Sequence, residues 1–259
     1  MSEMDQRPGE ATPEQPGPRD AAYWAKLVSR LEVGEIPEGA LNLNVAGRRL
    51  TGPIQGFGKM WQKTFRVRLD GATASPADVI REWKQHFADF WPSGNRFYGP
   101  LTGIAPGDVA ILNLSMGGMP LSTGVLVLYA DDESFTLMSP EGHMLAGWIT
   151  FSAFPDGETT VVQAQELIRA NDPLYELGLA LGGHRKQNRF WEHTLRAVAA
   201  NFGVAEPTVH SDLVCVDRRR QWRNAKNIWH NAAIRSGLYT IGTPFRAVVR
   251  PFRRKAKTR

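Results

Sequence analysis

The chain has 259 residues, 42% of them hydrophobic and 22% charged, with a formal net charge of +5. That is an ordinary globular composition, long enough to bury a core in one large domain or two small ones. The single cysteine, Cys215, excludes an internal disulfide and a cysteine-rich metal site.

One thiol suits a reducing compartment. Residues 1–20 are acidic, polar and proline-rich, without the basic and apolar regions of a signal peptide. No run of about 18 apolar residues occurs that could span a bilayer. A cytoplasmic protein, with contact to a membrane surface left open, is therefore the expectation. Charge divides the chain: residues 210–259 hold 13 Lys and Arg against two Asp, whereas 1–209 hold 18 basic and 24 acidic residues. Such a split points to an anionic partner for the C-terminal end.

In chain order, residues 1–20 have too few apolar groups to offset their ordering entropy, which predicts disorder. Residues 21–32 (AAYWAKLVSRLE) place Trp24, Leu27, Val28 and Leu31 on one helical face. A Gly- and Pro-rich, extended lead-in follows to residue 57. MWQKTFRVRLD alternates, with Trp61, Lys63, Phe65, Val67 and Leu69 on one side and Gln62, Thr64, Arg66 and Arg68 on the other. That is a half-buried strand. Ser75 then caps a helix with Pro76 at its first position, and Val79, Trp83, Phe87 and Phe90 form its apolar face up to Pro92.

Five strand candidates come next: DVAILNLS, STGVLVLYADD, SFTLMSP, AGWITFSAF and TTVVQAQELIRA. Short turn clusters separate them, so consecutive strands are predicted to pair antiparallel. Asn171 or Asp172 caps a long closing helix that starts at Pro173 and ends near Gly203. Its apolar stripe runs through Leu177, Leu181, Trp191, Leu195, Val198 and Phe202 and passes through His184 and Asn188. Gly182-Gly183 would let this helix bend.

This order predicts an α+β fold in which a curved antiparallel sheet wraps a long C-terminal helix. It resembles the START/Bet v 1-like superfamily, also called SRPBCC or helix-grip proteins. The resemblance spans residues 58–203 and rests on element order and the closing helix NDPLYELGLALGGHRKQNRFWEHTLRAVAANFGV. It implies a ligand cavity between sheet and helix, without choosing among lipid carriers, cyclases and aromatase-like members. Residues 1–57 and the basic extension 204–259 lie outside the usual pattern.

Strand parity and helix stripe place Trp61 and Phe65, Trp148 and Phe151, and His184, Asn188 and Trp191 around that cavity. The expected ligand is a hydrophobic small molecule or lipid. His184 is the candidate catalytic residue should the scaffold carry a cyclase or hydrolase activity. His143, in a turn, reads as a solvated loop residue. Glu166 lies on the opposite face of its strand from Gln163, Gln165 and Leu167 and reads as a surface carboxylate. No dinucleotide fingerprint, nucleophile elbow or paired metal-ligand motif occurs, so neither a cofactor nor a metal is expected.

The extension carries the other candidate surface. Trp222, Ala225, Trp229 and Ala232 share a helical spacing among Arg218, Arg219, Arg220, Arg223 and Lys226, and Arg250, Arg253, Arg254 and Lys255 follow. Tryptophan with Arg and Lys suits an anionic membrane surface. The same residues could neutralise nucleic-acid phosphates, or the tryptophans could pack on the domain itself.

Overall fold

The computed structural model describes residues 21–36, 38–99, 103–116 and 119–241. The expected disorder of residues 1–20 and the cluster Arg250, Arg253, Arg254 and Lys255 lie outside them. Eight strands form one sheet: β1 (Met60–Arg68), β2 (Arg96–Tyr98), β3 (Val109–Met116), β4 (Met119–Ala130), β5 (Ser134–Met138), β6 (Leu145–Asp156), β7 (Thr159–Ala170) and β8 (Val209–Asp217). Their order is β2-β3-β4-β5-β6-β7-β1-β8, and every pair is antiparallel. The five expected meander strands became β3 to β7. The short β2 and the edge strand β8 were not anticipated.

Alternation along β1 buries Phe65, Val67 and Leu69 on one face of the sheet. Two helices cover that face, α1 (Pro76–Gln85) through Val79, Ile80 and Trp83, and α3 (His184–Asn201) through Leu195, Val198 and Ala199. Ser75 accepts a hydrogen bond from the Asp78 N–H, and Pro76 follows at the first helical position. α1 stops at Gln85, before the expected Pro92. Tight turns carry the chain on, with the Asp89 N–H donating to the His86 carbonyl and the Trp91 N–H to that of Ala88. Phe87 and Phe90 stay buried regardless. Trp83, Phe87, Phe135 and Phe151 stack edge-on or offset with ring centroids 4.8 to 6.0 Å apart. Such pairs add about 0.5–1.5 kcal/mol each beyond area burial.

The closing helix is broken. α2 (Pro173–Gly178) gives way to a wide π-type turn, Leu179–Gly183, before α3 begins. Leu181 leaves helical geometry and Gly182 has φ 117°, a left-handed conformation that glycine adopts without a Cβ clash. The expected stripe therefore holds only from His184 onward, because Leu177 and Leu181 are exposed whereas His184 meets Trp61 and Asn188 meets Lys63.

The lead-in and the extension pack on the outer side of the sheet. Residues 21–32 are not a helix: a single 3-10 turn, Ala21–Tyr23, leads into extended chain. The register of β4 against β5 slips between Val127 and Tyr129, and the Leu128 carbonyl accepts the Ala25 N–H. Bonding to the bulge thus replaces helical bonding, so Leu27 is fully exposed while Leu31 is buried with Val45 on Ile111 and Leu126. After β8 comes a 3-10 helix, Trp222–His230, and then helix α4 from residue 232 to at least 241. Asparagines dock this segment: Asn224 donates to the Ile54 and Gly56 carbonyls, Asn227 to those of Gln55 and Asn171, and Asn231 to the Asp172 carboxylate.

Gly142 lies under that dock with φ 87°, and a Cβ there would overlap the His230 carbonyl oxygen. Gly142→Ala should therefore lower stability by about 2 kcal/mol and loosen residues 218–241. Urea midpoints and limited proteolysis check both effects, with the first cuts expected inside that segment.

Candidate functional site

Register decides the chemistry of the sheet–helix junction. Lys63 stands opposite Glu166 across the β1–β7 pair, both on the inner parity of their strands. The ammonium lies 3.6 Å from Glu166 Oε1, and both side chains are almost fully buried, 1% and 3% exposed. α3 roofs the pair. Lys63 donates to Gln187 Oε1 at 2.5 Å and to Asn188 Oδ1 at 2.9 Å, while Gln187 Nε2 donates to Glu166 Oε2 at 3.0 Å. One turn earlier on the same helix, the His184 ring sits 5.0 Å from that of Trp61. Glu166 was expected at the surface; the parity it shares with Val162, Ala164 and Ile168 takes it inside instead.

Burial sets the protonation states. It pushes the Glu166 carboxyl up to about 7, opposed by the charge of Lys63. It also lowers the Lys63 ammonium, against the pull of Glu166. His184 is lowered to about 4, first by burial and then by the charges of Lys63 and Lys59. The imidazole is therefore neutral at pH 7, and Glu166 is the group poised to exchange a proton there. Glu166 Oε1 and the indole N–H of Trp61 have no hydrogen-bond partner among the described residues.

The other expected lining residues separate. Phe65 and Phe151 are fully buried in the aromatic core, and Trp191 packs on Phe151 with ring centroids 5.3 Å apart. Trp148 is three residues from Phe151 and so faces the other side of the sheet, near Gly52 in the lead-in. His143 is buried, not solvated: its Nδ1 lies 3.0 Å from both the carbonyl oxygen and the amide nitrogen of Leu145, and burial lowers it to about 4. Sequence reasoning missed Lys63, Glu166 and Gln187 as site residues. The usable signal was two charges on the apolar parities of two strands.

In the extension, Trp222 and Trp229 are exposed, 73% and 81%, although Trp222 meets Phe57 edge-on. Their segment is a 3-10 helix and not the α-helix that their spacing implied. Arg219 pairs with Asp217 and Arg220 with Glu176, while Arg218, Arg223 and Lys226 point outward. Arg169 reaches the Gly58 and Arg219 carbonyls and the Asp217 carboxylate, joining β7 to the lead-in and the extension. Among the described residues no helix is long and apolar enough to cross a membrane, and no group of three metal-ligating side chains occurs.

No family model matches the sequence, and no curated protein matches it. Similar solved structures include the di-domain ARO/CYC StfQ from the steffimycin biosynthetic pathway, at 13% identity over 56% of this chain and 51% of that one, with TM-score 0.45. Others are major latex-like protein 151 from Panax ginseng (17% identity, 56% and 99% coverage, TM-score 0.36) and a START superfamily protein from Mycobacterium smegmatis (18%, 56% and 98%, 0.37). The chain spans about half the length of StfQ. The fold is an α+β helix grip, an antiparallel sheet with a long helix on its inner face.

Removing one member of the buried pair strands the other. Lys63→Met or Glu166→Leu alone should cost about 3–5 kcal/mol, whereas the double variant should recover most of that loss. Chemical denaturation of the four proteins gives the cycle. The pH response has a definite sign. Glu166, raised in the fold, adds stability that is full below its unfolded value and is lost as pH rises through about 7. His143 and His184, lowered, add stability that is present above about 6.5 and is lost as pH falls toward 4. Glu166→Gln deletes the opposing contribution, so from pH 7 to 4.5 this variant should lose stability more steeply than the parent.

Proposed function

We propose that the chain binds a hydrophobic or aromatic small molecule carrying one polar group, at the sheet–helix junction beside the break in the closing helix. The observation behind this reading is the Lys63–Glu166 pair, buried at the inner end of that junction under the half-exposed Gln187, Asn188, His184 and Trp61. A buried ion pair contributes less stability than apolar side chains of the same volume, and strongly perturbed groups concentrate at working sites. The π-type turn beside it is the least regular part of the helix cover and can move without disturbing the core under α3.

The aromatic sulfonate ANS suits the test, since it joins fused rings to one anionic group. It should bind the native protein, and Lys63→Met/Glu166→Leu should weaken its Kd at least tenfold at neutral pH. Equal affinity in both proteins rejects the assignment. A second reading follows from the Glu166 carboxyl near 7, which can give and take a proton at neutral pH. Proton-transfer catalysis on the bound molecule then rests on Glu166 rather than on the neutral His184. A turnover that Glu166→Gln abolishes while ligand affinity persists would support it.

The extension supports docking to an anionic membrane surface. Exposed Trp222 and Trp229 are followed on α4 by Ile234, Leu238 and Ile241, spaced four and three residues apart and all exposed. The outward-facing Arg218, Arg223 and Lys226 lie on the same stretch of chain. Apolar side chains with basic neighbours suit the interface of an anionic bilayer.

A further inference from the structure

The lead-in and the extension build a cleft of about 370 Å³, away from the sheet–helix junction. Its size falls within the range of about 300–1,000 Å³ typical of small-molecule sites. Four arginines line it, Arg30, Arg48, Arg49 and Arg235, together with His230 and one carboxylate, Glu141. They come from four stretches of chain. The lead-in folds back on itself, with the Leu31 N–H donating to the Arg48 carbonyl and the Gly47 N–H to that of Leu31. The Glu141 N–H donates to the Arg49 carbonyl, and the Ala232 N–H to that of Gly142.

The single carboxylate is committed to one wall, where Glu141 Oε1 lies 3.1 Å from Arg49 Nη2. Arg48 Nη1 lies 2.9 Å from His230 Nδ1. An arginine can only donate, so Nδ1 is the acceptor in this contact, and Nε2 lies 3.9 Å from Glu141. Arg30 spends one N–H on the Gly47 carbonyl. Among the described residues neither Arg30, Arg48 nor Arg235 has a carboxylate within ion-pair distance. Partial burial lowers Arg48, and the charge of Arg235 lowers it further, against the pull of Glu141. Four planar donor forks against a single carboxylate leave the cleft with a surplus of positive charge, which suits phosphate oxygens.

We infer that this cleft binds a phosphate group, presented either by a soluble phosphorylated molecule or by a lipid headgroup. The site is independent of the Lys63–Glu166 junction and stands whether or not that junction binds a ligand. Inorganic pyrophosphate, titrated calorimetrically into the full chain, is the first probe. The Arg235→Gln variant, at an exposed position with no side-chain ion pair, should weaken it at least tenfold. Arg48→Gln/Arg235→Gln should weaken it further, with the thermal melt confirming that both variants fold. Arg66→Gln/Arg96→Gln removes the same charge at exposed positions outside the cleft and should change affinity less than twofold.

Vesicles of phosphatidylcholine with phosphatidic acid separate the two sources. Vesicle binding that Arg235→Gln weakens assigns the cleft to a headgroup. Pyrophosphate binding with vesicle binding untouched by that change assigns it to a soluble phosphate. The inference is overturned if the parent chain binds neither probe, or if the variants inside and outside the cleft lose affinity equally.

Discussion

The pairing of β1 with β7 joins residues about a hundred positions apart, and the working part of the molecule follows from it. This ladder places the first strand beside the last strand of the meander and so gives the broken closing helix a continuous surface to lie on. It also fixes the register that sets Lys63 across from Glu166. A slip of β1 by one residue would turn Lys63 to the outer face, away from Glu166, and put Gln62 or Thr64 under α3. The apolar partners Phe65, Val67, Val162 and Ala164 hold that register, because any slip exposes them as well.

The two halves of the closing helix do different work. Past Trp191, α3 is an ordinary amphipathic cover whose buried face is Leu195, Val198 and Ala199. Before that point it carries Gln187 and Asn188 over a buried ammonium. The Gly182 break lets α2 turn away toward Asn231 and the extension, through the Asp172 carboxylate that also caps it. One aspartate thereby ends the sheet, starts a helix and anchors a segment some sixty residues further on.

Much of this architecture was legible in the residues. The alternation of β1, the Ser75-Pro76 start and the turn-separated meander all follow local rules. Glu166 and Lys63 each stood on an apolar parity, but their meaning lay in a pairing that no local pattern reveals. Trp148 and Phe151 are three residues apart and cannot share one face of a strand; the alternation already separated them. His143 looked like a loop residue because what buries its turn, the chain around His230 and Ala232, is nearly ninety residues away. The run Leu213 to Val216 carried the pattern of a strand, obscured by the arginines that follow it. The cationic cleft left no local trace, since Arg30, Arg48, Arg49 and Arg235 meet only in three dimensions.

The docked extension gives the chain an unusual contact order. Asn224 to Ile54 closes a loop of 170 residues, and Asn44 to the Ala232 carbonyl one of 188. Contacts of such separation form late, because the chain must lose loop entropy before they return any stabilisation. The helix grip can assemble from the meander outward, whereas the arginine cleft comes into being only when both ends have arrived. During synthesis, the aromatic core can therefore form while the chain still offers no assembled phosphate site, and that site reports completion of the fold.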